Sequence, residues 1–321
     1  MNNNYSWVEK YRPSKLEEVS SQKIIIDALK NVLITKKIPH LLFYGPSGSG
    51  KTSTILALAK ELFKQDISMN RVIELNASDE RGINVIRDKI KKYSKQLMNT
   101  KDNLPPWKFI ILDEADTMTT DSQFALRRIM EQYSKITRFC IICNYHTKII
   151  DPIISRCALF QFRPISEESI LMKLQFICNE ENINYNNNLL KKIINLSRGD
   201  LRKAINFLQK CYNIYNNTLN MNLLKEISGI ISDNVFNELI KYILMKDTIN
   251  VEKIINTVHN EGYSLVNQIL LFHSYIINSD FSDDIKSKII YLLCDIDHNL
   301  IKGCNELIQF LRLVYYIMSI I

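Results

Sequence analysis

The 321-residue sequence predicts an α/β fold built on a parallel sheet in its first half and an all-helical second half. Three observations carry this reading. Up to Pro164, short apolar runs of strand length alternate with segments of helical period. Three of the eight glycines, Gly45, Gly48 and Gly50, fall within six residues, between one such run and one such helix. Beyond Pro164 the alternation stops and only helical spacing recurs.

The elements follow in order. Leu41 to Tyr44 is the first buried-strand candidate, and Ile55, Leu58, Ala59 and Leu62 form the inward face of the helix after the glycines. Val72 to Leu75, Phe109 to Leu112, Phe139 to Cys143 and Leu159 to Phe162 are the further strands. Between them, Ile83, Ile86, Ile90, Tyr93 and Leu97 make one helix face. Leu126, Ile129, Met130 and Tyr133 make another, started by a capping box from Thr120 to Gln123. Strands that alternate with helices in this way form a parallel sheet covered on both faces. Ser166 is the N-cap of the first helix beyond Pro164. The asparagine-rich stretches 182–188 and 213–222 read as loops, and 229–321 reads as a helical block with faces such as Leu307, Phe310, Leu311, Val314 and Tyr315.

Composition bounds the class. At 46% apolar and 23% charged residues the chain is an ordinary globular protein, long enough for about two domains. No apolar run reaches 18 residues and the start, Met1 to Asn4, lacks a signal-peptide core, so neither a spanning helix nor secretion is expected. Seven irregularly spaced cysteines do not make a disulfide framework and point to a reducing compartment. Residues 1–164 hold 26 Lys+Arg against 17 Asp+Glu and residues 165–321 hold 15 against 17, so the net +7 divides into +9 and −2. The first half is the part suited to a polyanion.

Gly45-Pro46-Ser47-Gly48-Ser49-Gly50-Lys51-Thr52 fits G-x-x-x-x-G-K-[ST] between a strand and a helix. Glycines at this spacing let backbone N–H groups point at phosphate oxygens, Lys51 reaches the β and γ phosphates, and Thr52 offers a hydroxyl to Mg²⁺. Ser53, next along, lies in the helix N-terminus that faces the anion. The run 109–114 ends a buried strand in two adjacent carboxylates. Asp113 is suited to the Mg²⁺ shell and Glu114 to deprotonating an attacking water, which favours ATP hydrolysis over a nucleotide switch. Cys140 and Cys143 match C-x-x-C but lie inside a strand without a second ligand pair, and read as core residues.

With these motifs in place, the sequence resembles the small subunits of replication factor C, the AAA+ sliding-clamp loader. The resemblance rests on residues 7–13 (Trp-Val-Glu-Lys-Tyr-Arg-Pro), the glycine loop, residues 76–82 (Asn-Ala-Ser-Asp-Glu-Arg-Gly), 113–116 (Asp-Glu-Ala-Asp), Cys143-Asn144, Ser155-Arg156-Cys157 and 199–204 (Gly-Asp-Leu-Arg-Lys-Ala). These occur in the family's order over nearly the whole chain. Ser47 and Ser49 replace the family's common Pro and Thr in the loop and leave its phosphate-binding groups in place.

The resemblance implies an α/β AAA+ P-loop domain at 1–164, a helical lid at 165–228 and an all-helical collar at 229–321 that joins a hetero-pentamer. It implies an ATPase that opens a sliding clamp of the PCNA type and loads it onto primer-template DNA in the nucleus. It also assigns roles that spacing cannot. Val8, Arg12 and Pro13 border the nucleotide, Asn144 senses the γ-phosphate, and Arg202 reaches the phosphates from the lid. Arg156 projects into a neighbouring subunit's site as an arginine finger. Arg87, Lys91, Arg127 and Arg128 face DNA on two helices, with Arg81 at the approach to the first, and contact phosphate without reading bases. Two other classes share parts of the pattern: another AAA+ machine such as a branch-migration helicase, and a non-hydrolysing scaffold subunit of a loader.

Overall fold

The computed structural model describes residues 6–19, 21–63, 71–77, 83–95, 105–197, 199–215 and 229–321; for 83–88, 214 and 215 it describes the backbone alone. The chain divides into two compact units, Met1–Gln209 and Lys210–Ile321.

Five strands form the sheet of the first unit: β1 (His40–Tyr44), β2 (Val72–Asn76), β3 (Lys108–Asp113), β4 (Thr137–Cys143) and β5 (Cys157–Gln161). They pair in the order β2-β3-β4-β1-β5, and every pairing is parallel, with Leu41 opposite Cys140 and Ile110 opposite Phe139. Residues 109–112 and 139–143 are buried without a break, as strands covered on both faces must be.

The pleat sorts their side chains by parity. Leu41, Phe43, Phe109, Ile111, Cys140 and Ile142 pack with Ile55, Leu58 and Leu62 of α3 (Lys51–Phe63) on one face. Leu42, Ile110, Leu112, Phe139 and Ile141 pack on the other with Leu126, Ile129 and Met130 of α5 (Thr120–Gln132) and with Ile90 and Tyr93 of α4 (Ile83–Lys95). Among the described residues the further helices are α1 (Trp7–Lys10), α2 (Lys23–Thr35), α6 (Asp151–Ile154), α7 (Glu167–Glu180), α8 (Asn187–Ser197) and α9 (Leu201–Tyr215), of which 201–209 belong to this unit.

Several expectations shift in detail. The last strand starts at Cys157 rather than Leu159, and Phe162 lies just beyond it, buried, with its N–H donating to Tyr44 O at 2.8 Å. The cap of α5 is Thr119, whose hydroxyl accepts from Ser122 N at 3.4 Å, so the Thr120–Gln123 capping box does not form. Gln123 is buried instead. It donates to Met118 O and Lys148 O and accepts from Ile150 N, tying α5 to the loop before α6. Ser166 does cap α7, accepting from Ser169 N. The first asparagine-rich stretch lies mostly between α7 and α8; of the second, 213–215 belong to α9 and 216–222 lie outside the described residues, as does Leu97.

The second unit contains α10 (Asp233–Leu244), α11 (Thr248–Asn260), α12 (Leu265–Asn278), α13 (Asp283–Ile301) and α14 (Glu306–Ile320). Phe236, Phe272 and Phe310 stack edge to face through its core, with centroids 5.2 and 5.9 Å apart. The inward face of α14 is Phe310, Leu313, Val314, Ile317 and Met318. Tyr315 departs from the expected face: it is exposed and its hydroxyl donates to Glu252 of α11, because these five apolar positions at helical spacing already fill the core there.

Candidate nucleotide site

The strand order builds the site. β3, β4 and β1 are neighbours, so their carboxyl ends bring Asp113, Asn144 and the glycine loop to one edge of the sheet, where ligands of open parallel sheets bind. The loop must be glycine where it turns. Gly45 has φ 145°, and a Cβ there would stand 2.2 Å from Phe162 O; Gly48 has φ 70°, and a Cβ there would stand 2.0 Å from Asp200 Oδ1.

Lys51, at the first position of α3, is buried. Its ammonium donates to Gly45 O and Pro46 O, each at 2.8 Å, and to Asn144 Oδ1 at 3.0 Å. Burial pushes its pKa down from the ordinary lysine value, and the nearby Asp113 carboxylate opposes that shift. Thr52 Oγ1 donates to Asp113 Oδ2 at 2.7 Å, while Asp113 Oδ1 accepts from Glu114 N at 2.8 Å. Glu114 holds a left-handed backbone, φ 53° and ψ 37°. Its carbonyl accepts from Thr117 Oγ1 at 2.7 Å. Asn144 N lies 3.4 Å from Asp116 Oδ2, which ties the end of β4 to the turn after β3.

One cleft gathers these groups. Val8, Arg12 and Pro13 line it from the N-terminal segment, residues 47–53 from the loop and α3, Asp113, Glu114 and Asn144 from the strand ends, and Arg202 from α9. Gly45 and Pro46 sit behind it as the acceptors of Lys51. Arg12 also pairs with Glu9 at 2.8 Å. Asp200 accepts from Lys203 N at 3.1 Å and thereby caps the helix that carries Arg202. Tyr11, Glu18, Lys173, Ile165 and Ile205 also line the cleft and escaped sequence reasoning. Only Tyr11 had a signal, its place within the Trp7–Pro13 motif.

The other assigned residues lie elsewhere. Arg156 stands in the turn between α6 and β5, donating to Pro152 O at 2.6 Å and pairing with Glu131 at 2.6 Å. Glu131 also pairs with Arg127 at 3.1 Å along α5. Arg128 and Lys91 are exposed on α5 and α4 and border one shallow groove beside Phe124. Arg81 lies outside the described residues, and the Arg87 side chain does too. Cys140 and Cys143 are buried in β4; burial raises both thiols, Cys143 to about 12. Among the described residues no helix is long and apolar enough to cross a membrane.

A glycine loop closed on a buried lysine, beside a strand ending in Asp-Glu and a lid arginine, defines an AAA-type ATPase. Residues 41–165 match the ATPase family associated with various cellular activities, 172–212 the RCF1/5-like AAA+ ATPase lid domain, and 231–316 the replication factor C C-terminal domain. The chain is 42% identical to replication factor C subunit 2 of Schizosaccharomyces pombe, with 96% of this chain and 92% of that protein covered. It is 41% identical to subunit 2 of Saccharomyces cerevisiae (98% and 93% covered) and 38% identical to subunit 4 of Homo sapiens (98% and 88%). The chain belongs to the replication factor C small-subunit family, is an ATPase, and is a component of a multi-subunit replication factor C complex. The fold is also that of the Thermotoga maritima RuvB Holliday junction branch migration motor, with a TM-score of 0.53 at 14% identity, covering 74% of this chain and 80% of that one.

Proposed function

We propose that this subunit binds ATP with Mg²⁺ in the cleft and uses its hydrolysis to open a sliding clamp of the PCNA type and load it onto primer-template DNA in the nucleus. The observation that carries the ATP reading is the convergence of Lys51, Thr52, Asp113, Glu114, Asn144 and Arg202 on one cleft. The donor set fits the metal: a hydroxyl and a carboxylate oxygen 2.7 Å apart are hard oxygen ligands, of the kind that hold Mg²⁺ with substrate phosphates. Thr52 and Asp113 would hold the ion, which neutralises phosphate charge when bound.

Lys51 and the loop N–H groups bind the phosphates, and Asn144 and Arg202 approach the terminal one. Val8, Arg12 and Pro13 close the base side. The Glu114 carboxylate takes the proton of the water that attacks the γ-phosphorus, and ADP departs as leaving group. Arg156 serves the site of an adjoining subunit, stabilising charge on the phosphoryl group, a role worth about 10³ to 10⁵ in rate. To do so it exchanges its pairing with Glu131 for the nucleotide. Lys91, Arg127 and Arg128, with Arg81 and Arg87, track the DNA backbone.

The domain plan is an ATP-binding part to 164, a lid to 228 and a collar beyond. ATP turnover by this chain co-assembled with loader subunits tests the reading. Stimulation that needs both clamp and primer-template DNA, and is lost in Lys51→Ala and in Arg156→Ala, is the expected result. Turnover indifferent to the clamp would instead mark a different AAA+ machine.

A further inference from the structure

The cleft wall that carries Val8, Arg12 and Pro13 is a short segment whose helix, α1, has four residues. A single turn does not hold itself together in water, so its place is set by what it packs on. Those contacts come from the helices beyond Pro164. Trp7 is buried and its backbone N–H donates to Gln209 Oε1 at 3.0 Å, on the same helix that carries Arg202. The Tyr11 ring meets Phe176 of α7 edge to face at 6.1 Å and Trp7 likewise at 6.5 Å.

The polar centre of this contact is Glu181, the C-cap residue of α7. Its Oε1 accepts from Tyr11 OH at 2.7 Å and from Lys10 Nζ at 2.7 Å, and its side chain is only 15% exposed. Tyr11 itself lines the cleft. Burial, with the Glu181 hydrogen bond adding to it, raises the Tyr11 phenol to about 12, so the hydroxyl keeps its proton and donates at any physiological pH. Burial pushes the Glu181 carboxyl up, but the Lys10 and Tyr11 hydrogen bonds outweigh it and hold the group below its usual range.

We propose that Glu181 is a positioning residue for nucleotide binding: one lid carboxylate oxygen, shared by Tyr11 and Lys10, pins the N-terminal wall of the cleft to the lid. The inference rests on the cleft being the nucleotide site. The wall and the helices that bear Glu181 and Arg202 then move together, and nucleotide affinity depends on a residue that never touches nucleotide.

The test is titration of the full chain with a fluorescent N-methylanthraniloyl ADP in Mg²⁺ buffer. Glu181→Ala is expected to raise Kd about tenfold, the scale of one lost hydrogen bond to a charged group. Tyr11→Phe is expected to raise Kd by less and to add little on top of Glu181→Ala. Glu181→Gln, which keeps an acceptor for Tyr11, is expected to restore most of the affinity. In the assembled complex KM for ATP rises while kcat at saturation stays within twofold, a split that a general loss of stability would not produce. Kd within twofold of the parent in both Glu181→Ala and Tyr11→Phe overturns the proposal while leaving the nucleotide site standing. Failure of the unsubstituted chain to bind the probe overturns the nucleotide-site reading and the pin with it. If Glu181→Ala fails to fold, Tyr11→Phe, which removes a single hydroxyl, decides the matter alone.

Discussion

Glu114 combines a chemical role with a strained backbone, and two substitutions separate them. At φ 53° and ψ 37° the residue stands in the left-handed region, which costs an L-residue about 1–2 kcal/mol. Its N–H and carbonyl are fixed by Asp113 Oδ1 and Thr117 Oγ1, so the turn does not relax when the side chain changes. Glu114→Gly removes the strain but returns about 0.5–1 kcal/mol of conformational freedom to the unfolded chain, for a net gain of about 0–1.5 kcal/mol. For a unit the size of Met1–Gln209 this is a rise of up to about 6 °C in melting temperature. Glu114→Gln keeps the strain and should leave the melting temperature unchanged. Both variants should lose turnover by about 10²- to 10⁴-fold, the usual contribution of a general base. Thermal unfolding of the full chain, with steady-state ATP turnover in the complex, reads both effects. A Glu114→Gly protein that melts below the parent would refute the strain argument, and a Glu114→Gln complex that turns over normally would refute the assignment of the base.

Gly48→Ala drives a Cβ to 2.0 Å from Asp200 Oδ1 and should weaken binding of the ADP probe; Asp200→Ala should recover part of the loss, and strictly additive effects would show that the contact is not the cause. His40, whose Nδ1 accepts from Phe139 N at 3.1 Å, has its pKa lowered from 6.5 to about 4, by burial first and Arg138 second. The unfolded chain takes up that proton first, so the His40 contribution to stability is present above pH 6.5 and is lost as pH falls towards about 4. Denaturant titrations across that window should show a flatter pH dependence in His40→Gln, and an identical profile would contradict the assignment. Lys91→Ala combined with Arg128→Ala should reduce the slope of log K against log salt for DNA binding by about two, and an unchanged slope would remove them from the phosphate-contact set.

Much of the first unit was legible because its three central strands, β1, β3 and β4, are buried on both faces and read as unbroken apolar runs, and because the glycine loop obeys steric rules local to a few residues. Caps were less legible. Thr119 and Thr120 are both competent N-caps by chemistry, and the choice between them falls to Gln123, which is taken by Met118, Lys148 and Ile150 rather than by the helix start. Tyr315 of α14 fits the helical period yet faces outward, because period fixes which residues share a face and not how wide the buried stripe is.

The sequence by itself determined the chemistry: a loop that requires Gly45 and Gly48, the cation Lys51, the hydroxyl of Thr52 and the adjacent acids Asp113 and Glu114 are properties of residue type and near neighbours. The tertiary structure alone decided which distant groups meet. Strand order β3-β4-β1 sets Asn144 beside Lys51 across 93 positions of sequence, and the packing of α7 on the N-terminal segment sets Glu181 against Tyr11 across 170. Such contacts depend on how elements stack to bury apolar surface, a property of the whole core that no local pattern encodes.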